Sequence, residues 1–230
     1  MSAERVTVRQ NVMKANDEVA GANRRRLEET ATLAVNLISS PGSGKTTLLE
    51  RTIERLKDRW SLAVIAGDVQ TERDADRLRK YGIPVLAIET GGSCHLDARQ
   101  VANVLEPLDL SGIDLLLIEN VGNLVCPSAY DLGEEMKVVL VSVAEGEDKP
   151  WKYPAIFRRA GALVVTKIDL APYVNASVAR IIDAARSYQR DLPAFPTSGY
   201  TGEGLEDWVA WLSGRIAAHK ERALGAGAQR

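Results

Sequence analysis

The run Ser39-Ser40-Pro41-Gly42-Ser43-Gly44-Lys45-Thr46-Thr47 constrains this chain more than any other feature. It follows an apolar stretch at 33–38 that reads as a short buried strand. It precedes residues 48–56, whose apolar positions recur at helical spacing. Strand, glycine-bearing loop, Gly-Lys-Thr and helix together form a phosphate-holding arrangement. Glycines let backbone N–H groups turn inward on the phosphates, and the helix N-terminus adds partial positive charge. Lys45 offsets charge on the β- and γ-phosphates, and the Thr46 hydroxyl can ligate Mg²⁺. Gly42, Ser43, Gly44, Lys45, Thr46 and Thr47 are therefore the candidate phosphate-binding residues. The strict spacing asks for Gly at position 39, where this chain has Ser39. A glycine-rich turn with a chance Lys-Thr would not need a strand before it and a helix after it.

From residue 33 onward the pattern alternates strand and helix. Strands are expected at 61–66, 84–88, 114–118, 136–143, 162–165 and 194–197, with helices at 72–80, 97–105, 175–188 and 205–219. Alternation of this kind predicts an α/β fold of three layers, with a mostly parallel sheet of about seven strands and helices on both faces. Residues 1–32 are expected to form a helical extension packed on or beside a domain spanning 33–218. Val12, Ala15, Val19 and Ala22 are the candidate apolar stripe of that extension, and Arg24-Arg25-Arg26 reads as a solvated helix end. Residues 219–230, rich in Ala and Gly, are expected to be a flexible tail.

At 230 residues the chain suits one large domain rather than two. A formal net charge of −2 argues against nucleic acid as the main partner. No apolar run approaches the ~18–20 residues needed to span a bilayer. No apolar signal core follows the first residues, so a cytoplasmic location without membrane insertion is expected.

In parallel α/β sheets, ligands gather at the carboxyl ends of the strands, and three further stretches fall there. The apolar strand at 115–118 ends in Glu119, which can stand beside Mg²⁺, and Gly122 can aim its N–H at a γ-phosphate. Gly67-Asp68 puts a second carboxylate at a strand end; Asp68 fits a metal ligand and a helix cap equally well. Thr166-Lys167-Ile168-Asp169 resembles the Asn-Lys-x-Asp element of GTPases, with Thr166 in place of Asn. A fixed carboxylate at Asp169 accepts from both N1–H and the N2 amino group of guanine, whereas adenine lacks the N1 donor. The Lys167 stem can cover the base. Ser198-Gly199, after the last strand, resembles the Ser-Ala-Lys-type element behind the guanine, with Gly199 and Tyr200 as departures.

Both cysteines also fall in loops at strand ends, and Cys94 adjoins one of the two histidines, His95. Cys126 follows Glu119 on the loop expected to sense the γ-phosphate. Two thiolates and an imidazole suit Zn²⁺, Ni²⁺ or Cu(I). Three ligands leave a tetrahedral site open to water or a second chain. Two buried thiols and a surface histidine would give the same sequence.

Three segments carry a closer resemblance: Gly92-Ser93-Cys94-His95-Leu96-Asp97-Ala98, Ile118-Glu119-Asn120-Val121-Gly122-Asn123-Leu124-Val125-Cys126-Pro127, and Tyr130-Asp131-Leu132-Gly133-Glu134. They resemble the HypB family, the hydrogenase nickel-incorporation GTPases, over residues 33–205. The resemblance implies a P-loop NTPase of the SIMIBI class that binds GTP or GDP with Mg²⁺ through Thr46, Asp68 and Glu119. It implies a homodimer carrying Ni²⁺ or Zn²⁺ through Cys94, His95 and Cys126. A HypA-like metallochaperone and a [NiFe]-hydrogenase large-subunit precursor are the implied partners. Many members carry an N-terminal Cys-x-x-Cys-Gly-Cys motif or a His-rich segment; here no Cys precedes Cys94 and no His precedes His95. Hydrolysis is expected to be slow and to use Lys45, Glu119 and Gly122, because Asn123 rather than Gln follows Gly122. Three alternatives fit less of the chain. A urease-type nickel GTPase would carry Cys-Pro-His where Cys126-Pro127-Ser128 stands. A cobalamin-enzyme chaperone gives no reason for Cys94-His95. A small-molecule kinase would share the phosphate loop and prefer ATP.

Overall fold

The computed structural model describes the backbone at 2–67 and 72–227 and the side chains at 11–67 and 76–225. Helix α1 (Ser2–Glu29) leads into strand β1 (Leu33–Ser39) and helix α2 (Lys45–Leu56). Then come β2 (Leu62–Ala66), α3 (Glu72–Arg79), β3 (Val85–Ala87), α4 (Ala98–Leu105), β4 (Leu115–Glu119) and β5 (Met136–Ser142). Two one-turn helices, α5 (Lys149–Lys152) and α6 (Pro154–Phe157), precede β6 (Ala160–Thr166), α7 (Val178–Arg186), β7 (Ala194–Pro196) and α8 (Leu205–Gly227).

The seven strands form one sheet in the order β3-β2-β4-β1-β5-β6-β7, and every pairing is parallel. The strands are near-continuous apolar runs because both faces are covered. Leu33, Val35 and Leu37 of β1 pack toward α2 and α8, with Trp208 of α8 donating its indole N–H to Thr52 Oγ1 at 2.9 Å. Ala34 faces the other way, into a cluster with Leu27 of α1 and Val101 and Leu105 of α4; Ile38 joins Phe157 and Ile181 beside α6 and α7. Chain progression runs outward from β1 to β2 on one side and resumes at β5 on the other. The crevice this opens at the carboxyl ends of β1, β4 and β5 is where a ligand can enter.

All seven expected strands are present, with ends shifted by a residue or two. Two expectations are corrected. The first concerns α1. Val12 is 52% exposed, Ala15 and Ala22 are exposed as well, and the buried stripe is instead Asn16, Ala20, Asn23 and Leu27. The reason is polar. α1 lies over two loop segments whose backbone groups need partners. Asn16 Nδ2 donates to the Asp131 carbonyl at 2.8 Å while its Oδ1 accepts from the Ala98 amide at 2.9 Å. Asn23 Nδ2 donates to the carbonyls of Ala98 and Leu132, at 2.9 and 3.0 Å. Arg24 forms a two-pronged pair with Asp131 at 2.8 Å. Arg26 donates to the Glu106 and Leu108 carbonyls, so the arginine cluster is partnered rather than simply solvated. Gly133 lets the chain approach: at φ +95° it is in the left-handed region, and a Cβ there would sit 2.6 Å from Asn23 Cβ.

The second correction concerns the tail. Helix α8 continues through Gly227 rather than ending near 219, because its last turns find partners: Lys220 pairs with Asp114, and Arg222 with Glu135 at 2.7 Å.

Replacing Asn23 with Ala removes the side-chain donor to two buried carbonyls, of which that of Ala98 keeps its place in the α4 ladder and that of Leu132, in a loop, does not have one. Urea unfolding of Asn23→Ala is expected to show a loss of about 1–3 kcal/mol per unpartnered group with an unchanged m value. Gly133→Ala, which both strains the backbone and strikes α1, is expected to destabilise by a similar or larger amount.

Candidate functional site

β1 delivers the phosphate loop to the middle of the sheet edge. Gly42 and Gly44 have φ +72° and +95°, conformations that a side chain disfavours, and Gly44 directly precedes α2. Lys45 is buried, and its ammonium donates to Ser39 Oγ at 3.1 Å; Ser39 in turn donates to the Ser40 carbonyl at 2.8 Å. The residue that departs from the glycine pattern thus holds the loop's lysine. Thr46 Oγ1 donates to Glu119 Oε1 at 2.8 Å, bringing together the two oxygens proposed to share a magnesium ion. A hydroxyl and a carboxylate form the hard-oxygen donor set Mg²⁺ takes, so these residues fit it. Asp68, the third candidate, lies outside the described residues. Gly122 reaches the phosphate loop from the β4 side: a Cβ there would lie 3.0 Å from Pro41 Cα.

The candidate base-reading stretches converge on the same loop. Thr166, at the end of β6, donates to the Ser43 carbonyl at 2.6 Å, so the Thr that replaces Asn still ties the two loops together. Lys167, itself at φ +58°, lays its stem beside Gly44 and donates to the Gly42 carbonyl at 2.7 Å. Asp169 accepts from Ser198 Oγ at 2.5 Å, and Ser198 Oγ accepts from the Tyr200 and Thr201 amides. Ser198 therefore fixes the carboxylate and is in turn fixed by the following turn. Gly199 packs on Thr47, where a Cβ would come within 2.6 Å of Thr47 Cγ2, and its carbonyl accepts from Arg51 at 3.0 Å. Gly44, Lys167, Asp169, Gly199 and Tyr200 line an open cavity of about 690 Å³. Gly44 and Thr47 of the phosphate loop and the Asp169 carboxylate thus share one cavity, which Arg51 and Arg77 of α2 and α3 also line, and a carboxylate beside the loop suits a base with adjacent N–H donors.

The second cluster lies on the other side of β4. The ligand atoms of Cys94, His95 and Cys126 all lie within 4.8 Å of one another. Cys94 Sγ is 3.4 Å from His95 Nδ1, and the His95 ring rests on Tyr130 with centroids 3.9 Å apart. The neighbouring Cys126 sulfur, then burial, push the Cys94 thiol above its ordinary range. Burial pushes His95 below its ordinary range, which favours the neutral, ligating imidazole. Two sulfurs and one nitrogen, exposed to half-buried, fit a soft or borderline cation with one position left open.

Sequence reasoning missed the polar network between the two clusters. Asn36 is fully buried within β1, donating to Glu134 Oε1 at 3.2 Å and accepting from Asn120 Nδ2 at 3.1 Å. Glu134 also takes the Lys137 ammonium at 2.6 Å and the Leu132 amide at 2.6 Å, and Lys137 reaches the Tyr130 carbonyl at 2.9 Å. The signal available was an asparagine inside an otherwise apolar strand, which requires a buried partner.

The CobW/HypB/UreG nucleotide-binding domain family matches residues 33–196. The hydrogenase maturation factor HypB of Azotobacter vinelandii is 47% identical over 224 residues, covering 94% of this chain and 74% of that protein. The HypB of Escherichia coli (strain K12) is 47% identical over 202 residues, 88% of this chain and 70% of that one. The crystal structure of HypB from Helicobacter pylori in complex with nickel superposes with a TM-score of 0.84 at 40% identity, covering 90% of this chain and 97% of that chain. HypB from Archaeoglobus fulgidus gives the same TM-score at 43% identity, over 88% of this chain and 99% of that chain. No helix among the described residues is long and apolar enough to cross a membrane.

Thr166→Val keeps the shape of the side chain but leaves the Ser43 carbonyl without its 2.6 Å partner. Thermal unfolding is expected to show a loss of about 1–3 kcal/mol, and stopped-flow release of a fluorescent GDP is expected to be faster.

Proposed function

Because this chain belongs to the CobW/HypB/UreG nucleotide-binding family, and within it to the HypB hydrogenase maturation factors, we propose that it is a slow GTPase whose nucleotide state controls the handling of nickel. The observation that carries this reading is the shared strand end. Glu119 is held against Thr46 of the phosphate loop, and seven residues later on the same segment Cys126 meets Cys94 and His95. In this reading residues 33–218 are the GTPase domain and 1–32 a helical extension of it.

Roles follow from chemistry. Gly42, Ser43, Gly44, Lys45, Thr46 and Thr47 hold the phosphates. Thr46, Glu119 and Asp68 bind Mg²⁺, which when bound supplies charge neutralisation at the β- and γ-oxygens. Asp169 reads guanine, and Thr166, Lys167, Ser198 and Gly199 position it. Lys45, Glu119 and the Gly122 amide orient the γ-phosphate for hydrolysis. The cargo, Ni²⁺ or Zn²⁺, binds Cys94, His95 and Cys126, with the open position taken by water or by a second copy of the chain in a homodimer. GTP draws the Glu119–Gly122 segment toward the γ-phosphate and so shifts Cys126 relative to the other two ligands. The metal passes from a HypA-like donor toward a [NiFe]-hydrogenase large-subunit precursor in the cytoplasm. Asp169, poised by Ser198 to accept two N–H groups, favours this reading over an ATP-dependent kinase.

Two measurements test it. Nickel titrated into the protein with GDP, and then with a non-hydrolysable GTP analogue, is expected to give a thiolate charge-transfer band that disappears in Cys126→Ala. Its midpoint is expected to differ between the two nucleotides by about five- to 150-fold. No band in either state would make the cysteines structural and remove the nickel role. Asp169→Asn is expected to lose GDP affinity by on the order of 10²-fold and to gain affinity for xanthosine diphosphate, whose C2 oxygen accepts where guanine donates. Equilibrium binding of both nucleotides decides it, and an unchanged preference would refute guanine reading by Asp169. The turnover of the isolated protein is expected well below the ~10 s⁻¹ typical of enzymes.

A further inference from the structure

We propose that Asn120 is a positioning residue that carries the nucleotide state to the Cys94–His95 half of the metal site, acting through Leu96. The inference rests on the switch reading above and adds a route which the loop to Cys126 does not provide.

Glu119 and Asn120 are consecutive, and their side chains leave the strand end on opposite sides. Glu119 accepts from Thr46 at 2.8 Å. Asn120, 1% exposed, uses Oδ1 to accept from the Leu96 amide at 3.1 Å and from the Val121 amide at 2.9 Å. Its Nδ2 donates to Asn36 Oδ1 at 3.1 Å, which sets which end of the amide faces Leu96. Leu96 directly follows His95.

Leu96 is also gripped from β2. It is fully buried, and a Cβ on Gly67 would fall 2.5 Å from Leu96 Cδ1, so the leucine fills the space that Gly67 leaves open. The Gly67 amide donates to the Glu119 carbonyl at 2.8 Å, tying both grips to one strand end. Leu96 therefore has a hydrogen bond on one side and close packing on the other, with no slack between them. A displacement of Glu119 toward a cation moves the Asn120 peptide with it. A close-packed contact passes such a shift on rather than absorbing it. The next residue along is the ligand His95. Cys126 is thus moved through the 121–125 loop, and Cys94–His95 through Asn120, by the same event.

The test is the nickel titration of the full chain in GDP and in the GTP analogue, repeated for Asn120→Ala and Asn120→Asp. In the wild-type protein the two affinities are expected to differ by about five- to 150-fold. In Asn120→Ala the band is expected to form with that ratio reduced to what the 121–125 loop transmits on its own. Asn120→Asp keeps an acceptor for Leu96 and is expected to retain the ratio. Equal weakening in both nucleotide states, with the ratio intact, would make Asn120 merely structural and overturn the inference. A wild-type ratio of one would instead overturn the switch reading, and this inference with it. Should Asn120→Ala not fold, the Leu96 amide resonance of the wild-type protein is compared between the two nucleotides without metal. Movement of the Leu96 signal supports the route; a stationary Leu96 beside a shifting Gly122 overturns it.

Discussion

The end of β4 is the constraint on which the rest depends. Side chains alternate between the two faces along a strand. The last residue of β4 and the one after it must therefore serve opposite sides of the sheet. Glu119 turns to the face of α2 and meets the phosphate loop, while Asn120 turns to the face of α1 and α4 and meets the segment after His95. Two chemically unrelated candidate sites can share one strand end only because that alternation divides them. The parallel sheet adds the rest: with β1 and β2 on either side of β4, the phosphate loop and Gly67 flank the same point.

The departures from the usual nucleotide-binding spacing have local explanations. Ser39 stands where glycine is expected, and its hydroxyl is used: it accepts from the Lys45 ammonium, a buried donor group that needs acceptors. Thr166 stands where asparagine is expected and still reaches the Ser43 carbonyl. Both exchanges keep a short polar atom at the required place, so the motif tolerates them without losing its tie between the loops.

Much of this was legible in the sequence because strand ends and glycine loops are governed by local rules. The phosphate loop, the carboxylate after 115–118 and the Thr-Lys-x-Asp element each declared themselves by what preceded them. Cys94, His95 and Cys126 could be named as candidates, but residues 32 positions apart at the extremes meet only through the order of β2, β3 and β4 in the sheet. The docking face of α1 was illegible to a search for apolar spacing. Its buried positions include Asn16 and Asn23, which satisfy loop backbone groups that no helix or strand accounts for. The length of α8 was missed for a related reason: composition suggested fraying, while Lys220 and Arg222 have ion-pair partners far away in sequence.

Those asparagines also bear on how a switch could work here. Asn16 and Asn23 clamp Ala98 on one segment and Asp131 and Leu132 on the other. Ala98 lies three residues beyond His95, and Asp131 five beyond Cys126. The candidate stretch with Cys126 is thus anchored on its far side by α1 and continuous on its near side with the end of β4, while Cys94 and His95 lie just before a segment, Leu96 to Ala98, that is held at both ends. Glu134 and Lys137 reinforce the anchored side by holding the Leu132 amide and the Tyr130 carbonyl. A segment fixed at one end and pulled at the other changes shape mostly between the two, and between Glu119 and Asp131 that interval contains Cys126. Rigidity in α1 is therefore not opposed to switching at the metal. Without a fixed frame, a nucleotide-driven shift at Glu119 would carry the whole loop with it and leave the ligand spacing unchanged.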